Sequence, residues 1–516
     1  MNLLILTGAV LEVLSHVHAS VLVSPPLDVP HNASPPMKSY FPGFAFEEAS
    51  FYDFAGSKSN PNNVSQNLVQ AIAAETNTKP MIRVGGTSLD HASYHPNQKE
   101  PLLIPGGQKG GIPDNMTIGP SFFDSFANFP SAQYIVDIPF AKENLSNSLL
   151  FAKQAYATIG PANIFAFEIG NEVNNYPGHG RPPTWSEADY STQWTNWSGS
   201  ISGTLGIAED SEMYQAVALS SETTATKFPG GTAADWKIPK IWESGLNKEK
   251  GRMKSVSMHY YQTKANEGSD LQYDLMNHTA VTRGSDFIYQ AVKTLNNTGI
   301  PLILGEVGNT LGNRSSGISL EAVLGSALWQ VDFSLWSMFI GVSGLDIQSG
   351  SKFPFSLWLP TTNETNGTVL PAFYGHMFSA EFIGSNRNVQ VANIDLNSPH
   401  LSAYAAYEDG ALSRVGIVNL HLWDRETGSE PLERPSENII LEIGENVKTV
   451  TIKKLTSVNG GSARAENITW GGQQWKYKNG GVAERVLNDT VVQDVQGGNV
   501  EVEVKSSEAV MIFLQK

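Results

Sequence analysis

The chain of 516 residues carries 34 Lys and Arg against 50 Asp and Glu, which gives a formal net charge of −16. This balance argues against nucleic-acid binding, which requires a basic surface, and any anionic ligand has to be met by local cations. Apolar residues make up 41% and charged residues 16%, so the chain is globular, and its length predicts a large domain with a smaller appendage. The absence of cysteine excludes disulfides and thiol chemistry.

The first 19 residues form an apolar stretch too short to span a bilayer comfortably, ending in the signal-peptidase-like Val17-His18-Ala19. Glu12 inside this stretch leaves an ordinary N-terminal helix as the alternative. No later segment suits a membrane anchor. Sequons for N-glycosylation recur along the chain, among them Asn63, Asn115, Asn144, Asn196, Asn277, Asn313, Asn363, Asn467 and Asn488. We therefore expect a signal peptide over residues 1–19 and an extracellular, N-glycosylated protein.

From about residue 40 to 348, short apolar runs alternate with segments of helical periodicity. The predicted strands are Phe41–Glu47, Met81–Val84, Tyr134–Ile138, Ile164–Ile169, Ile238–Trp242, Val256–Tyr261, Leu302–Glu306 and Gly341–Ile347. The predicted helices include Val64–Glu75, Ser146–Tyr156, Met213–Ser221, Phe287–Leu295 and Leu320–Phe339. Strands interleaved with helices predict an α/β fold, a (β/α)₈ barrel over residues 38–375, with a long polar loop at Gly178–Trp197 beside its cleft.

After about residue 376 the pattern changes to short alternating strands separated by turns such as Asn459-Gly-Gly and Asn479-Gly-Gly. Such runs include Ser402–Tyr407, Val415–Leu420, Ile439–Ile443, Val447–Ile452 and Val500–Val504. This spacing predicts an antiparallel β-sandwich over residues 376–516, with the Pro-rich residues 21–37 packing beside it.

Glu172 and Glu306 each follow an apolar run that reads as a buried strand, which places both at the end of the barrel where the chemistry occurs. A retaining glycosidase needs two such carboxylates about 5–5.5 Å apart, one as acid/base and one as nucleophile. Taken alone, Asn171-Glu172 could be a helix cap, and Glu306 a chance carboxylate at a strand end. Glu168 competes for the acid role but lies deeper, where a structural hydrogen bond is the alternative.

Other strand ends carry side chains that suit the same chemistry. Arg83 could pair with Glu306 and lower its pKa, and Tyr261, on the same strand face as His259, could donate to the nucleophile. Asn171 could bond the sugar hydroxyl next to the reacting carbon. Glu47 could bind sugar hydroxyls, with an exposed surface carboxylate as the alternative.

The strings Gly85-Gly86-Thr87, Glu168-Ile-Gly-Asn171-Glu172, His259-Tyr260-Tyr261 and Leu304-Gly305-Glu306 resemble the clan A retaining glycosidases, and most of all glycoside hydrolase family 79. The resemblance covers nearly the whole chain, because the tail is similar to the β-sandwich of that family. It implies the following roles: Glu172 as acid/base, Glu306 as nucleophile, Tyr261 as its partner, and Asn171, Glu47 and Thr87 as sugar contacts.

The same resemblance implies a substrate ending in a β-linked glucuronic acid, with or without a 4-O-methyl group, and no cofactor or metal. The family binds the uronate carboxylate through amides and a tyrosine after the eighth strand, where this chain has Gly350, Lys352 and two phenylalanines. Gly350 and Lys352 are thus the expected carboxylate contacts. The alternatives are a clan A enzyme acting on a neutral sugar and a non-catalytic carbohydrate-binding protein.

Overall fold

The computed structural model describes residues 20–106, 112–220, 236–264, 268–311, 320–425 and 433–515. The predicted signal peptide over residues 1–19 and the sequon at Asn313 lie outside the described residues. In the part of the chain that is described, no helix combines the length and apolar character needed to cross a membrane.

Eight parallel strands form a closed barrel. In chain order they are β1 Pro42–Glu47, β2 Met81–Gly85, β3 Gln133–Ile138, β4 Ile164–Ile169, β5 Tyr214–Leu219, β6 Met253–Lys264, β7 Leu302–Leu311 and β8 Gly344–Ser349. Each strand pairs in parallel with its sequence neighbours, and β8 closes the barrel on β1. The predicted barrel is confirmed, and it brings all strand C-termini to one rim.

Helices surround the barrel and bury apolar side chains against the strands or against neighbouring helices. They include Glu48–Ala55, Asn63–Thr76, Leu145–Ile159, Glu187–Leu205, Ile238–Glu243, His278–Gly284, Asp286–Leu295, Leu324–Phe339 and Pro371–Ile383. Local capping fixes several starts, as where the side chains of Asn62 and Asn144 accept bonds from the amides of Ser65 and Asn147.

The predicted fifth strand is wrong. Ile238–Glu243 is a short helix with Pro239 in its first turn, and the strand that completes the barrel is Tyr214–Leu219, for which Met213–Ser221 was predicted as a helix. The run is rich in Ala, Leu and Gln, which favour helices, but its pairing with β4 and β6 overrides this preference. Val217 and Ala218 take positive φ angles of 85° and 43°, so the strand is irregular where it ends.

The loop predicted at Gly178–Trp197 is also shorter than expected. Helix Glu187–Leu205 begins inside it, because Ser186 and Asp189 form a reciprocal capping box. The sequence of this helix is polar, and its apolar residues are only weakly gathered on one face, so the pattern does not predict where the helix begins. The segment that remains irregular between Glu172 and this helix is held by Arg181, whose guanidinium donates to the carbonyls of Phe140 and Ala141.

The C-terminal region is a β-sandwich, as predicted. Its larger sheet has nine strands: Val389–Ile394, Leu401–Glu408, Ala411–Asn419, Glu508–Gln515, Thr449–Thr456, Thr469–Trp470, Gln473–Trp475, Ala483–Arg485 and Val491–Asp494. The smaller sheet has three strands: Val21–Val23, Ser436–Glu442 and Asn499–Lys505. Side chains such as Val415, Ile439 and Val502 fill the space between the two sheets.

The N-terminal segment and the barrel both contact this sandwich. Val21–Val23 pairs in parallel with Ser436–Glu442, and the amide of Met37 donates to the carbonyl of Val389. Helix Pro371–Ile383 contains residues 375 and 376, so the predicted domain boundary between them falls inside a helix and stays a prediction. The apolar core of the barrel continues into the larger sheet through side chains such as Tyr404 and Met511.

Candidate active site

The predicted site residues lie at the carboxyl ends of the barrel strands. Arg83 lies on β2, His259 and Tyr261 lie on β6, Glu306 lies on β7 and Glu47 ends β1. Asn171 and Glu172 follow the end of β4 directly. Because the strands are parallel, residues separated by more than 200 positions meet at one rim.

Arg83 lies at the centre of the site and is fully buried. Its guanidinium donates from Nη1 to Oε1 of Glu306 at 2.6 Å and from Nη2 to Oδ1 of Asn171 at 2.9 Å. Its Nε donates to Oε1 of Glu168 at 2.7 Å. Glu168 also accepts from Gln215, so this deep carboxylate has the structural role that the sequence left open. A planar guanidinium with three fixed acceptors is a rigid frame for the strand ends.

Glu306 is held as an ionised carboxylate. Its Oε1 accepts from Arg83, and its Oε2 accepts from the hydroxyl of Tyr261 at 2.9 Å. Burial alone would raise the pKa of Glu306, but the charges of His259 and Arg83 and the bonds from Arg83 and Tyr261 lower it below its ordinary value. An ionised carboxylate with a fixed orientation suits a nucleophile.

Tyr261 stays a neutral donor at this place. Burial and the carboxylates of Glu306 and Glu172 raise its pKa well above the ordinary value. A Cβ on Gly308 would lie 2.7 Å from Cε1 of the ring, so the glycine gives the tyrosine room beside the nucleophile. Phe355 packs against the other part of the ring with a centroid distance of 5.8 Å.

Glu172 has a different environment. Its backbone takes a left-handed φ of 45°, a conformation that turns the chain sharply after β4. Its Oε1 lies 3.1 Å from Nδ1 of His259, and its Oε2 accepts from Nδ2 of Asn175 at 2.8 Å. The side chain is 21% exposed, whereas that of Glu306 is 6% exposed. The carboxyl group of Glu172 can therefore reach both a bound ligand and water.

His259 lies between the two carboxylates, with its Nδ1 also 3.6 Å from Oε2 of Glu306. The ligand-type atoms of Glu172, His259 and Glu306 all lie within 4.8 Å of one another. Such a set could in principle hold a metal ion, but both oxygens of Glu306 already accept from Arg83 and Tyr261. One oxygen of Glu172 therefore lies within 4.8 Å of one oxygen of Glu306, which favours the close carboxylate pair of retaining glycosidases, about 5–5.5 Å apart, over the 6.5–9.5 Å of inverting ones.

Asn171 is poised to donate to a ligand. Arg83 fixes its Oδ1, and among the described residues its buried Nδ2 has no hydrogen-bond partner. The hydroxyl of Tyr176 accepts from the backbone N–H of Asn171 and donates to the carboxylate of Asp90. These two bonds hold the turn in place. A buried donor without a partner is costly unless a ligand binds it.

Glu47 is buried, not a surface carboxylate. Its Oε1 accepts from the amide of Ser88 at 2.6 Å, and its Oε2 accepts from Nε2 of Gln348 at 3.0 Å. Burial and the charge of Glu306 raise its pKa. Gly86, with φ of 91°, lets the backbone pass close to this carboxylate, and the half-buried Thr87 begins the short helix Thr87–Asp90.

The loop after β8 has bonds of its own. The amide of Gly350 donates to Oγ of Ser356 at 3.1 Å, and the ammonium of Lys352 lies 2.6 Å from Oε2 of Glu364. Phe353 and Phe355 stack at a centroid distance of 5.1 Å and pack with Tyr261. The phenyl rings of this loop thus contact Tyr261, whose hydroxyl bonds Glu306. The role of Gly350 and Lys352 as carboxylate contacts stays a prediction.

Three further side chains of the site were not predicted from the sequence. Asn175 binds the Glu172 carboxylate, Gln215 binds Glu168, and Gln348 binds Glu47. Gln348 lies one residue before the end of β8 and so carries the same strand-end signal as Glu306. Asn175 lies in a turn whose shape depends on the left-handed Glu172, and Gln215 lies on the strand that was mistaken for a helix.

An eight-stranded parallel barrel with one glutamate after β4 and a second on β7, close together at the same rim, has the architecture of the retaining glycoside hydrolases. Comparison with known proteins narrows the class. The model of the glycosyl hydrolase family 79 C-terminal beta domain matches residues 403–511. A β-glucuronidase of Neurospora crassa is 30% identical over 504 residues, covering 89% of this chain and 88% of the relative. A β-glucuronidase of Aspergillus niger is 29% identical over 511 residues, covering 94% and 93% of the two chains.

Among solved structures, a 4-O-α-L-rhamnosyl-β-D-glucuronidase from Fusarium oxysporum 12S superposes with a TM-score of 0.80 at 20% identity. The match covers 96% of this chain and 100% of that one, so the barrel and the sandwich are shared as a unit. The chain belongs to glycoside hydrolase family 79.

Proposed function

We propose that this chain is a retaining exo-β-glucuronidase, which releases terminal β-linked glucuronic acid or its 4-O-methyl form from glycans. The observation that carries the reaction is the pair Glu172 and Glu306, which have one carboxylate oxygen each within 4.8 Å of the other, with His259 beside both, but which differ in exposure. The observation that favours the sugar is the similarity to two β-glucuronidases along nearly their whole length.

In the first step Glu172 protonates the glycosidic oxygen while Glu306 attacks the anomeric carbon. The bond to the leaving group breaks, and a glycosyl ester of Glu306 forms. Arg83 and Tyr261 hold the attacking carboxylate in one orientation, so little reorganisation is needed at the transition state. The unpartnered Nδ2 of Asn171 donates to the hydroxyl next to the reacting carbon.

In the second step Glu172, now a base, takes a proton from water, and the water attacks the ester. The sugar leaves with its original anomeric configuration, and both carboxylates return to their starting state. The greater exposure of Glu172 suits this step, since water has to reach it. Tyr261 keeps its proton throughout and donates again to the released carboxylate.

The uronate carboxylate has to be met by local donors because the chain as a whole is strongly acidic. Lys352 is the proposed cation. Its partner Glu364 is 64% exposed, and an exposed ion pair contributes at most about 1 kcal/mol, so a substrate carboxylate can displace it. Lys352→Gln should raise KM for a glucuronide and leave kcat within about twofold.

Parallel assays on the nitrophenyl β-glucuronide, glucoside, xyloside and galactoside test the proposal. The glucuronide should have the highest kcat/KM. Turnover of the neutral sugars alone would favour the alternative of a clan A enzyme with a neutral substrate. Oligosaccharide binding without any release of reducing sugar would favour a carbohydrate-binding protein.

We also propose that the protein is secreted and N-glycosylated. The sequon asparagine Asn488 is exposed and lies among exposed apolar side chains, with Leu487 at 53% and Val492 at 65% exposure. A glycan at this place would cover apolar surface that is otherwise open to water. Expression in a fungal host followed by peptide mass spectrometry tests the proposal: a glycan at Asn488 and a mature chain that begins near Ser20 are expected.

A further inference from the structure

A groove crosses the end of the barrel opposite the active site. It encloses about 1280 Å³ and is lined by the segments before strands β1, β7 and β8 and by the starts of β4 and β6. The strand β6 runs from Lys254 in this basal groove to Tyr261 in the active site, which separates the two by about 23 Å. The closed barrel lies between them, so one sugar residue cannot occupy both.

The charge of the basal groove is opposite to that of the whole chain. Its lining contains Lys38, Lys250, Lys254 and Lys293 against two carboxylates, those of Glu212 and Asp286. Glu212 is paired, since Lys254 Nζ lies 3.9 Å from its Oε2. Lys38, Lys250 and Lys293 are exposed, and none of these three forms an ion pair with a carboxylate of the described residues. On a chain of net charge −16 this is a local excess of cations, and at physiological salt local charges dominate.

The basal groove also offers aromatic surface. Tyr289 is 43% exposed, and Phe165, Trp336 and Phe339 contribute to the lining. Lys254 lies 5.5 Å from the ring centroid of Phe165, and Lys293 lies 5.2 Å from that of Tyr289. Aromatic rings beside ammonium groups fit the apolar face and the carboxylate of an acidic sugar together. The volume exceeds that of a typical small-molecule pocket, so it has room for several sugar units.

We propose that the basal groove is a second, non-catalytic site that binds an acidic polysaccharide through its uronate groups. The proposal rests on the proposed function for the choice of polymer, since the substrate chain would itself carry uronates. A second contact far from the catalytic rim keeps the enzyme on the polymer between cleavage events by raising the effective concentration of chain ends. The function of the site is therefore to favour polymeric over small substrates.

The test is a triple variant, K38Q/K250Q/K293Q, with K153Q/K448Q/K478Q as a matched control of exposed lysines outside the groove. Binding to a glucuronate-bearing arabinogalactan and to its carboxyl-reduced form is measured by affinity electrophoresis at low and high salt. The groove variant should bind the acidic polymer about fivefold or more weakly, and the control should be unchanged. Salt should weaken binding of the unmodified protein, and the carboxyl-reduced polymer should bind poorly.

Kinetics separates this proposal from the proposed function. The groove variant should lose kcat/KM on the polymer but keep that on nitrophenyl glucuronide within about twofold. Equal polymer binding by both triple variants, or equal binding of the carboxyl-reduced polymer, would overturn the groove site even if the glucuronide is hydrolysed. Absence of glucuronide hydrolysis by the unmodified enzyme would overturn the function and not the groove.

The sequons at Asn32 and Asn296 also line the groove, so the protein's own glycans are the competing occupant. A comparison of glycosylated and enzymatically deglycosylated protein distinguishes the polysaccharide from the protein's own glycans as the occupant of the groove. If the glycosylated enzyme binds the acidic polymer as well as the deglycosylated one does, the groove is open to a ligand. Binding only after deglycosylation would show that the glycans fill it and would contradict the proposal.

Discussion

Glu172 and Glu306 are both glutamates, and their neighbours give them different environments, which suit the different roles proposed for them. Glu306 accepts from two fixed donors, the cation Arg83 and the neutral Tyr261, and is almost completely buried. Glu172 accepts from the amide of Asn175 and is partly open. The sequence could predict both glutamates, because each follows an apolar strand. It could not predict Asn175, since that contact depends on the left-handed turn at Glu172.

Tyr261→Phe should move the acid limb of the kcat/KM profile to higher pH. The bond from Tyr261 helps to lower the pKa of Glu306, and the nucleophile has to be ionised to attack. Without the hydroxyl the pKa rises, so protonation inactivates the enzyme at a higher pH. Tyr260→Phe is the matched control, because that buried hydroxyl donates to Gln262. An unshifted acid limb in Tyr261→Phe would show that the hydroxyl does not tune the nucleophile.

Asn175→Ala should impair the acid and spare the nucleophile. Its amide holds Oε2 of Glu172 at 2.8 Å, and a misplaced acid matters most when the leaving group is poor. We expect about a tenfold loss of kcat/KM on an alkyl glucuronide and less than about a twofold loss on an activated aryl glucuronide. A series of leaving groups of graded pKa measures the difference. A uniform loss across the series would instead indicate a general disturbance of the site.

At the scale of elements, the site residues lie at strand ends, and the pairing of the strands in the barrel places these ends together. Seven of the eight strands could be predicted, because buried parallel strands read as apolar runs. The fifth could not, since Tyr214–Leu219 is rich in Ala, Leu and Gln, which favour a helix, and the run becomes a strand only between its neighbours. The opposite error concerns Ile238–Glu243. Its apolar residues predict a strand, but the segment pairs with no barrel strand and forms a short helix.

His278 joins three elements and should make stability depend on pH. Its Nδ1 lies 3.0 Å from Oδ2 of Asp332 on helix Leu324–Phe339, and Tyr404 of the larger sheet donates to the same carboxylate. Burial alone would lower the pKa of His278, but the charge and hydrogen bond of Asp332 raise it above its ordinary value. The stabilisation is therefore complete below the ordinary histidine pKa of about 6.5 and is lost as pH rises through the raised value.

His278→Gln should accordingly lower Tm by about 1–2 °C at pH 5 and by less at pH 8, since about 1 kcal/mol corresponds to about 1 °C in a cooperative unit of this size. Thermal unfolding followed by circular dichroism at the two pH values checks this, with the exposed His31→Gln as control. A larger loss of Tm at pH 8 than at pH 5 would mean that the neutral imidazole is the stabilising form.

At the scale of the whole molecule, the apolar core of the barrel extends onto one face of the larger sheet of the sandwich, and a second apolar core lies between the two sheets. Side chains of helices Leu324–Phe339 and Pro371–Ile383 pack with those of the larger sheet. The N-terminal strand Val21–Val23 is part of the smaller sheet. The sequence predicted two regions from their different periodicities. It could not predict that their cores are continuous, because this depends on which helix faces the sheet covers.

The intact protein should therefore unfold in a single cooperative transition. Separation of the two regions would expose apolar surface on both, so neither is expected to melt alone. Differential scanning calorimetry should show one peak, and loss of activity should follow it. Two resolved peaks, with activity lost in only one of them, would show that the regions are energetically independent.

The most direct test of the proposed mechanism is the mass of the covalent intermediate. A 2-fluoro glucuronide with an activated leaving group slows the second step, so the sugar should accumulate as an ester. Mass spectrometry of proteolytic peptides should place one 2-fluoroglucuronyl unit on Glu306, and Glu306→Gln should remain unlabelled. Turnover by Glu306→Gln near that of the unmodified enzyme, or a sugar attached to any other residue, would contradict the assignment of Glu306 as the nucleophile.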